Sequence, residues 1–192
     1  MFHNGLRKKG FHSPPHEENT GLSSFINGDF ETGDMTGWTT VYEVYTKYPL
    51  HQPIDAGIAF ASNLLYLTDG LTQYNVQPHG NYGCRITMQE GDGLEDSIVS
   101  ISQTIDLTNA NTLDFLYVFL AGGEEEFYGY KWTVLIDETE IYSDSNFKTE
   151  LTPKSLDVSA YDGEHSVTFL IYLEYMEHQG GMFFGLDDVE LT

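Results

Sequence analysis

Asp29 and Glu31 flank Phe30 in the stretch FINGDFETGDMTGW, residues 25–38. Asp187 and Asp188 stand together in the closing stretch GMFFGLDDVELT. Carboxylates beside glycines, whose bends leave backbone carbonyls reachable, are chemistry suited to a hard cation. Calcium takes about six to eight oxygens, so a single stretch cannot surround it and both ends of the chain must contribute. Read as a strand, residues 24–31 send Asp29 and Glu31 to one side and Phe30 to the core. In the closing strand Leu186 and Asp188 share one parity, Asp187 and Val189 the other. An aspartate inside an apolar strand is costly to bury unless something satisfies it. The alternative is an edge strand with both carboxylates in water.

A second set of residues suits sugars. Glycan recognition uses flat aromatic rings for the apolar sugar faces and polar groups for the hydroxyls. YGYKWTV places Tyr130 and Trp132 on one parity, LYVFL does the same for Tyr117 and Phe119, and LIYLEY lines up Tyr172 with Glu174. If those strands are neighbours, Tyr117, Tyr130, Trp132 and Tyr172 form a binding platform. The competing reading makes one of these parities the core. Two loops, AGGEEEFYG with Glu124, Glu125 and Glu126, and QEGDGLEDS with Glu90, Asp92, Glu95 and Asp96, are solvated acidic loops or contacts for a cation or basic partner. Neither has the D-x-[DN]-x-[DN]-G spacing of a helix-loop-helix calcium site.

Catalytic signatures are missing. The chain has no H-E-x-x-H, no G-x-S-x-G and no phosphate-cradling Gly-Lys loop. His51, His79, His165 and His178 show no ligand spacing. With 30 acidic residues, some carboxylate pair is inevitable by chance, so no catalytic residue is assigned and the chain reads as a non-enzyme.

The elements that position these residues read as strands. Short apolar-alternating runs, punctuated by Gly, Asn and Asp, predict an all-β, two-sheet antiparallel sandwich. The expected strands lie near 24–31, 37–47, 81–88, 97–106, 112–120, 129–137, 139–143, 153–159, 165–175 and 182–191. Residues 49–78 read as an irregular excursion over one end. DFLYVFLA and SVTFLIYLEY are apolar at both parities, so each should carry the core on one face and an aromatic surface or a covering loop on the other. Cys84, the only cysteine, sits in the alternating NYGCRITM and reads as a buried thiol. At 192 residues the chain suits one domain over residues 23–192, preceded by an arm, residues 1–22. The formal charge of −22 disfavours nucleic acid, and no apolar run approaches the ~18 residues of a membrane span.

NGDFETGDMTGW resembles the opening of galactose-binding-like jelly rolls, especially carbohydrate-binding modules of the family 4, 9, 16 and 22 type. The likeness continues in PHGNYGCRITM, in SISQTIDLTNANTLDFLY, in WTVLIDETEIY (with Glu138 where the family turn has Gly), in LDVSAYDGEHSVTFLIY and in FFGLDDVELT. These phrases, in order, cover most of residues 25–192. The resemblance implies a structural calcium clamped between the first and last strands, with Asp29, Glu31 and Asp187 as side-chain ligands. Carbonyls near Asn27 or Gly33 would complete the shell, and Trp38 would belong to the core. It also implies a polysaccharide or cell-surface glycan as ligand.

The arm, MFHNGLRKKGFHSPPHEENTG, lacks the apolar run of a secretory signal and reads as extended, as a free tail or as a docking segment. It holds Arg7, Lys8 and Lys9, three of the eight basic residues. A short basic arm on an acidic sandwich suits a decoration or adhesion protein of a virion or other extracellular surface array. Such a protein would dock on a capsid or tail protein through residues 1–22, and a homo-oligomer is compatible with that arrangement. The alternatives are a module of a secreted polysaccharide-degrading enzyme, or a structural decoration protein without sugar binding.

Overall fold

The computed structural model describes residues 22–46, 52–53, 57–68, 73–89, 94–123, 127–176 and 180–192. Within them the chain is all β. The strands are β1 Thr39–Thr46, β2 Gln52–Pro53, β3 Gly57–Ser62, β4 Leu65–Thr68, β5 Gln73–Val76, β6 Gly83–Gln89, β7 Leu94–Asp106, β8 Thr112–Gly123, β9 Phe127–Ile136, β10 Thr139–Asp144, β11 Lys148–Asp157, β12 Glu164–Met176 and β13 Gly180–Leu191. A six-stranded sheet runs β10-β9-β12-β7-β1-β2 and a five-stranded sheet β11-β8-β13-β6-β3. Pairing is antiparallel throughout, so the sandwich expected from the sequence is the fold observed.

Alternation sets the core. Val99 and Ile101, Trp132 and Val134, and Phe169 and Ile171 turn inward from the six-stranded sheet, against Phe115, Tyr117, Phe119, Ile86 and Phe184 from the other. Cys84 lies among them and burial pushes its thiol up. The outer face of the five-stranded sheet is covered. The β4–β5 hairpin lays Leu65 and Val76 over Val118, Leu120 and Phe183 in a second small core. That explains why DFLYVFLA is apolar at both parities, and it makes strands of described residues, 65–68 and 73–76, where the sequence suggested an irregular excursion. At the sandwich's side, the Tyr42 hydroxyl bonds to Ala59 of β3, accepting from its N–H at 3.1 Å and donating to its carbonyl at 3.3 Å.

The opening phrase is not a strand. Residues 26–29 are turns, with positive φ at Asn27 (54°), Phe30 (55°) and Gly33 (75°). Aromatic packing and close backbone approach fix it. Trp38 stacks on Phe25 at 5.6 Å and on Phe30 at 5.5 Å, and its indole N–H donates to the Asn27 carbonyl at 3.1 Å. Gln103 of β7 pairs with both backbone groups of Ile26, at 2.7 and 3.0 Å. Gly28 is required by contact, since a Cβ there would stand 2.3 Å from the Val189 carbonyl oxygen. The phrase thereby seats against the bulge of β13, where Asp188 has φ 47°. Trp38 is core, as the resemblance implied.

Candidate functional site

Two places gather the residues singled out by the sequence. The first is the junction of the opening phrase with β13. Glu31 does not point at Asp29's side of a strand; it staples the turn before β6. Its Oε1 accepts from the N–H of Asn81 at 2.6 Å and of Tyr82 at 2.9 Å, and its Oε2 from the Asn81 amide at 2.7 Å. The Asn81 side chain first, then the two N–H groups, hold its pKa below the usual range. Asp187 holds the same turn from beneath. Its Oδ2 accepts from the His79 N–H at 2.7 Å and its Oδ1 from its neighbour's N–H at 2.9 Å. Asp187 is fully buried, and burial above all pushes its carboxyl up to about 7. Asp188 pairs with the His79 ring at 2.5 Å. Asp29 is exposed and lines a cleft of about 720 Å³ with His79, Asp188 and Glu190. Among the described residues no three His, Cys, Asp or Glu side chains converge as a metal-binding group. The structure brings Glu31 and Asp187 to one turn and leaves Asp29 in the cleft beside it.

The second place is the uncovered face of the six-stranded sheet. Register sets outward rows across it, Val41–Ser100–Leu170–Thr133–Ser143 and Glu43–Ile98–Tyr172–Lys131. Val41, Glu43 and Glu174 are exposed there, and Leu170 and Tyr172 half-buried. At one edge β10 ends at Asp144, opposite Trp132, so residues 129–131 of β9 extend past it. There an open pocket of about 360 Å³ is lined by Tyr130, Lys131, Ser143, Asp144, Ser145 and Tyr172.

Its polar groups are held in place. Lys131 Nζ meets Glu140 Oε2 at 2.6 Å, and the Ser143 hydroxyl donates to Glu140 Oε1 at 2.6 Å. Asp144 loses solvation, which raises its pKa, yet the Asn146 N–H and amide and the Tyr142 hydroxyl together keep it low. The Tyr172 hydroxyl donates to Asp96 at 3.3 Å, and burial, then the charges of Asp96 and Glu174, push its phenol up. Tyr130 stacks on Phe147 at 5.7 Å, and Phe147 is 46% exposed.

The four-residue platform is therefore not formed. Tyr130 and Tyr172 both line the pocket, but only Tyr172 stands on the outward face; Tyr130 shares the inward parity of Trp132, and its ring packs on Phe119 and Phe147 at the edge of the core. Tyr117 and Trp132 face the core, 3% and 0% exposed, with their rings 4.5 Å apart, and no glycan reaches them. Lys131, Ser143, Asp144 and Ser145 were not singled out in the sequence. Their only signal was adjacency to Tyr130 and to the β9–β10 hairpin. Of the acidic loops, Glu95 and Asp96 are described and Asp96 meets Tyr172; Glu90, Asp92 and Glu124–Glu126 lie outside the described residues, as do His51, His178 and arm residues 1–21. His165 bonds Asp137 at the β9–β10 turn, and neither residue lines the cleft or the pocket.

No family model and no curated protein matches the chain. Among solved structures, the carbohydrate-binding module TmCBM61, in complex with β-1,4-galactotriose, is similar at 14% identity and TM-score 0.49, over 88% of this chain and 97% of that one. A Caldicellulosiruptor saccharolyticus module, CBM27-1 with mannohexaose, is similar at 13% and 0.49, over 85% and 94%. The enzymatically active domain of tailspike protein 4 of bacteriophage CBA120 is similar at 12% and 0.48, over 89% of this chain but 22% of that one. At TM-scores below 0.5 these are loose likenesses, and the sandwich assignment rests on the strand order itself.

Proposed function

We propose that the chain is a non-catalytic glycan-binding sandwich that takes a sugar on the uncovered face of its six-stranded sheet, at the Tyr130–Tyr172 pocket. The carrying observation is the coincidence of the outward Tyr172 ring with a lysine, a carboxylate and two serine hydroxyls at one open pocket that Tyr130 also lines, on the face without a covering hairpin. A ring offers an apolar sugar face its partner, and the polar groups supply donors and acceptors for hydroxyls. The test is retardation of the protein in native gels containing soluble β-galactan, β-mannan, xylan or dextran. We expect at least one to retard the protein and Tyr172→Ala to release it, with the melting temperature little changed. No retardation in any gel would count against the proposal.

The proposal includes display. Residues 1–22, with their basic cluster, dock the sandwich on a virion or other surface array, and many copies turn weak sugar contacts into avidity. It also includes a calcium ion. The support is Asp187, a buried carboxylate with no Lys or Arg bonded to it among the described residues. Such a group needs a proton or a cation. Asp187 and Glu31 would hold the ion together with carbonyl oxygens, and its contribution would be to tie the opening turns to β13 and the turn before β6.

A further inference from the structure

Thr133 lies on β9 between Trp132 and Val134, both fully buried in the core, so its side chain stands on the opposite, outward face. It is nevertheless only 1% exposed, and among the described residues no group is within hydrogen-bonding reach of its Oγ1. Burying a hydroxyl without a partner is costly, and a valine would fill the same volume without that cost.

Register shows what lies over it. Lys131 and Leu135 flank Thr133 on the same face of β9, and Ser143 of β10 and Leu170 of β12 stand beside it. Glu140 is opposite Leu135, yet its carboxylate bonds to Lys131, two residues to the other side of Thr133. The Lys131–Glu140 pair thus passes across Thr133, and the Ser143 hydroxyl bonds to the same carboxylate. Both charged side chains are substantially exposed, at 39% and 44%, so this roof is a surface ion pair of the weakly held kind. Lys131 and Ser143 are also walls of the Tyr130–Tyr172 pocket.

We propose that Thr133 is a concealed specificity-determining residue of that pocket. Two neighbouring sugar hydroxyls enter between Lys131 and Glu140; one accepts from the ammonium and the other donates to the carboxylate. As the pair opens, one of them reaches Thr133 Oγ1 and gives it the partner it lacks. This favours uncharged diols, which replace both halves of the ion pair, over ligands with a charge of either sign, which replace one half and repel the other. The inference rests on the glycan reading of the pocket.

The test is Thr133→Val, made beside wild type in the same β-galactan, β-mannan, xylan and dextran gels, with melting curves for both. We expect the variant to melt at the same temperature or higher and to bind the retarding polysaccharide about fivefold to tenfold more weakly. Thr133→Ser should keep most of the affinity. Equal retardation of wild type and Thr133→Val overturns this inference and leaves the glycan reading intact. A lower melting point for Thr133→Val with unchanged affinity also overturns it, since the hydroxyl is then satisfied within the protein. Failure of wild type to bind in every gel overturns the glycan reading, and this inference with it.

Discussion

At the residue scale, Asp187 couples charge to stability. Its carboxyl is pushed from an ordinary 3.8 up to about 7, chiefly by burial. A folded pKa above the unfolded one contributes stability that is fully present below about pH 4 and is lost as pH rises toward 7. A calcium ion would take the place of the proton, so its stabilising effect should grow over the same window. The expected outcome is a calcium-minus-chelator difference in melting temperature that is small at pH 5, larger at pH 7.5, and flattened by Asp187→Asn. An equal difference at both pH values, or none, would remove Asp187 from the ion's shell. The sequence displayed the Asp187 and Asp188 pair but not their division of labour. A bulge with positive φ at Asp188 sends one carboxylate under the turn at His79 and the other to the His79 ring, and bulges leave no mark in alternation.

At the element scale, strand periods were legible and strand faces were not. Every expected strand from β6 onward is present with shifted ends, because alternating runs and turn residues carry that information locally. Residues 24–31 misled because Phe30 is buried at a positive φ, a conformation that aromatic residues seldom adopt. Tyr117 and Trp132 misled because an aromatic row on one parity of a strand suits a core as well as a sugar platform, and only the partner sheet decides which it is. The β4–β5 hairpin makes a matching prediction. Leu65 is fully buried against Val118, Leu120 and Phe183, and presses on Gly185 closely enough that a Cβ there would meet its Cδ1 at 2.8 Å. Leu65→Ala should cost about 2–4 kcal/mol in chemical denaturation. It should leave retardation by polysaccharide unchanged, since the hairpin lies on the sheet opposite the pocket. Lost binding at full folding would place the sugar on the hairpin side.

At the scale of the whole molecule, the two outer faces differ in kind: one is roofed by a hairpin and a small core, the other carries half-exposed Leu170 and Tyr172 among short hydroxyl side chains. Under the proposed display, removing residues 1–22 should separate two properties. Polysaccharide retardation should persist, and attachment to the particle or array, read by co-sedimentation, should be lost; co-sedimentation unaffected by the deletion would assign docking to the sandwich. The excess of acidic over basic residues is concentrated in the sandwich, where 30 − 2 acidic residues face 8 − 3 basic ones after the first 23 positions, so under the proposed display copies held side by side would repel through their bodies. Their strand edges need a separate safeguard. Ala59 belongs to β3, the last strand of its sheet, paired on its other side with β6. There the Tyr42 hydroxyl occupies both the N–H and the carbonyl that an incoming strand would use. One phenol from the facing sheet thus mimics a neighbouring backbone at the middle of that edge, and an incoming strand is denied the Ala59 groups as part of a template for aggregation.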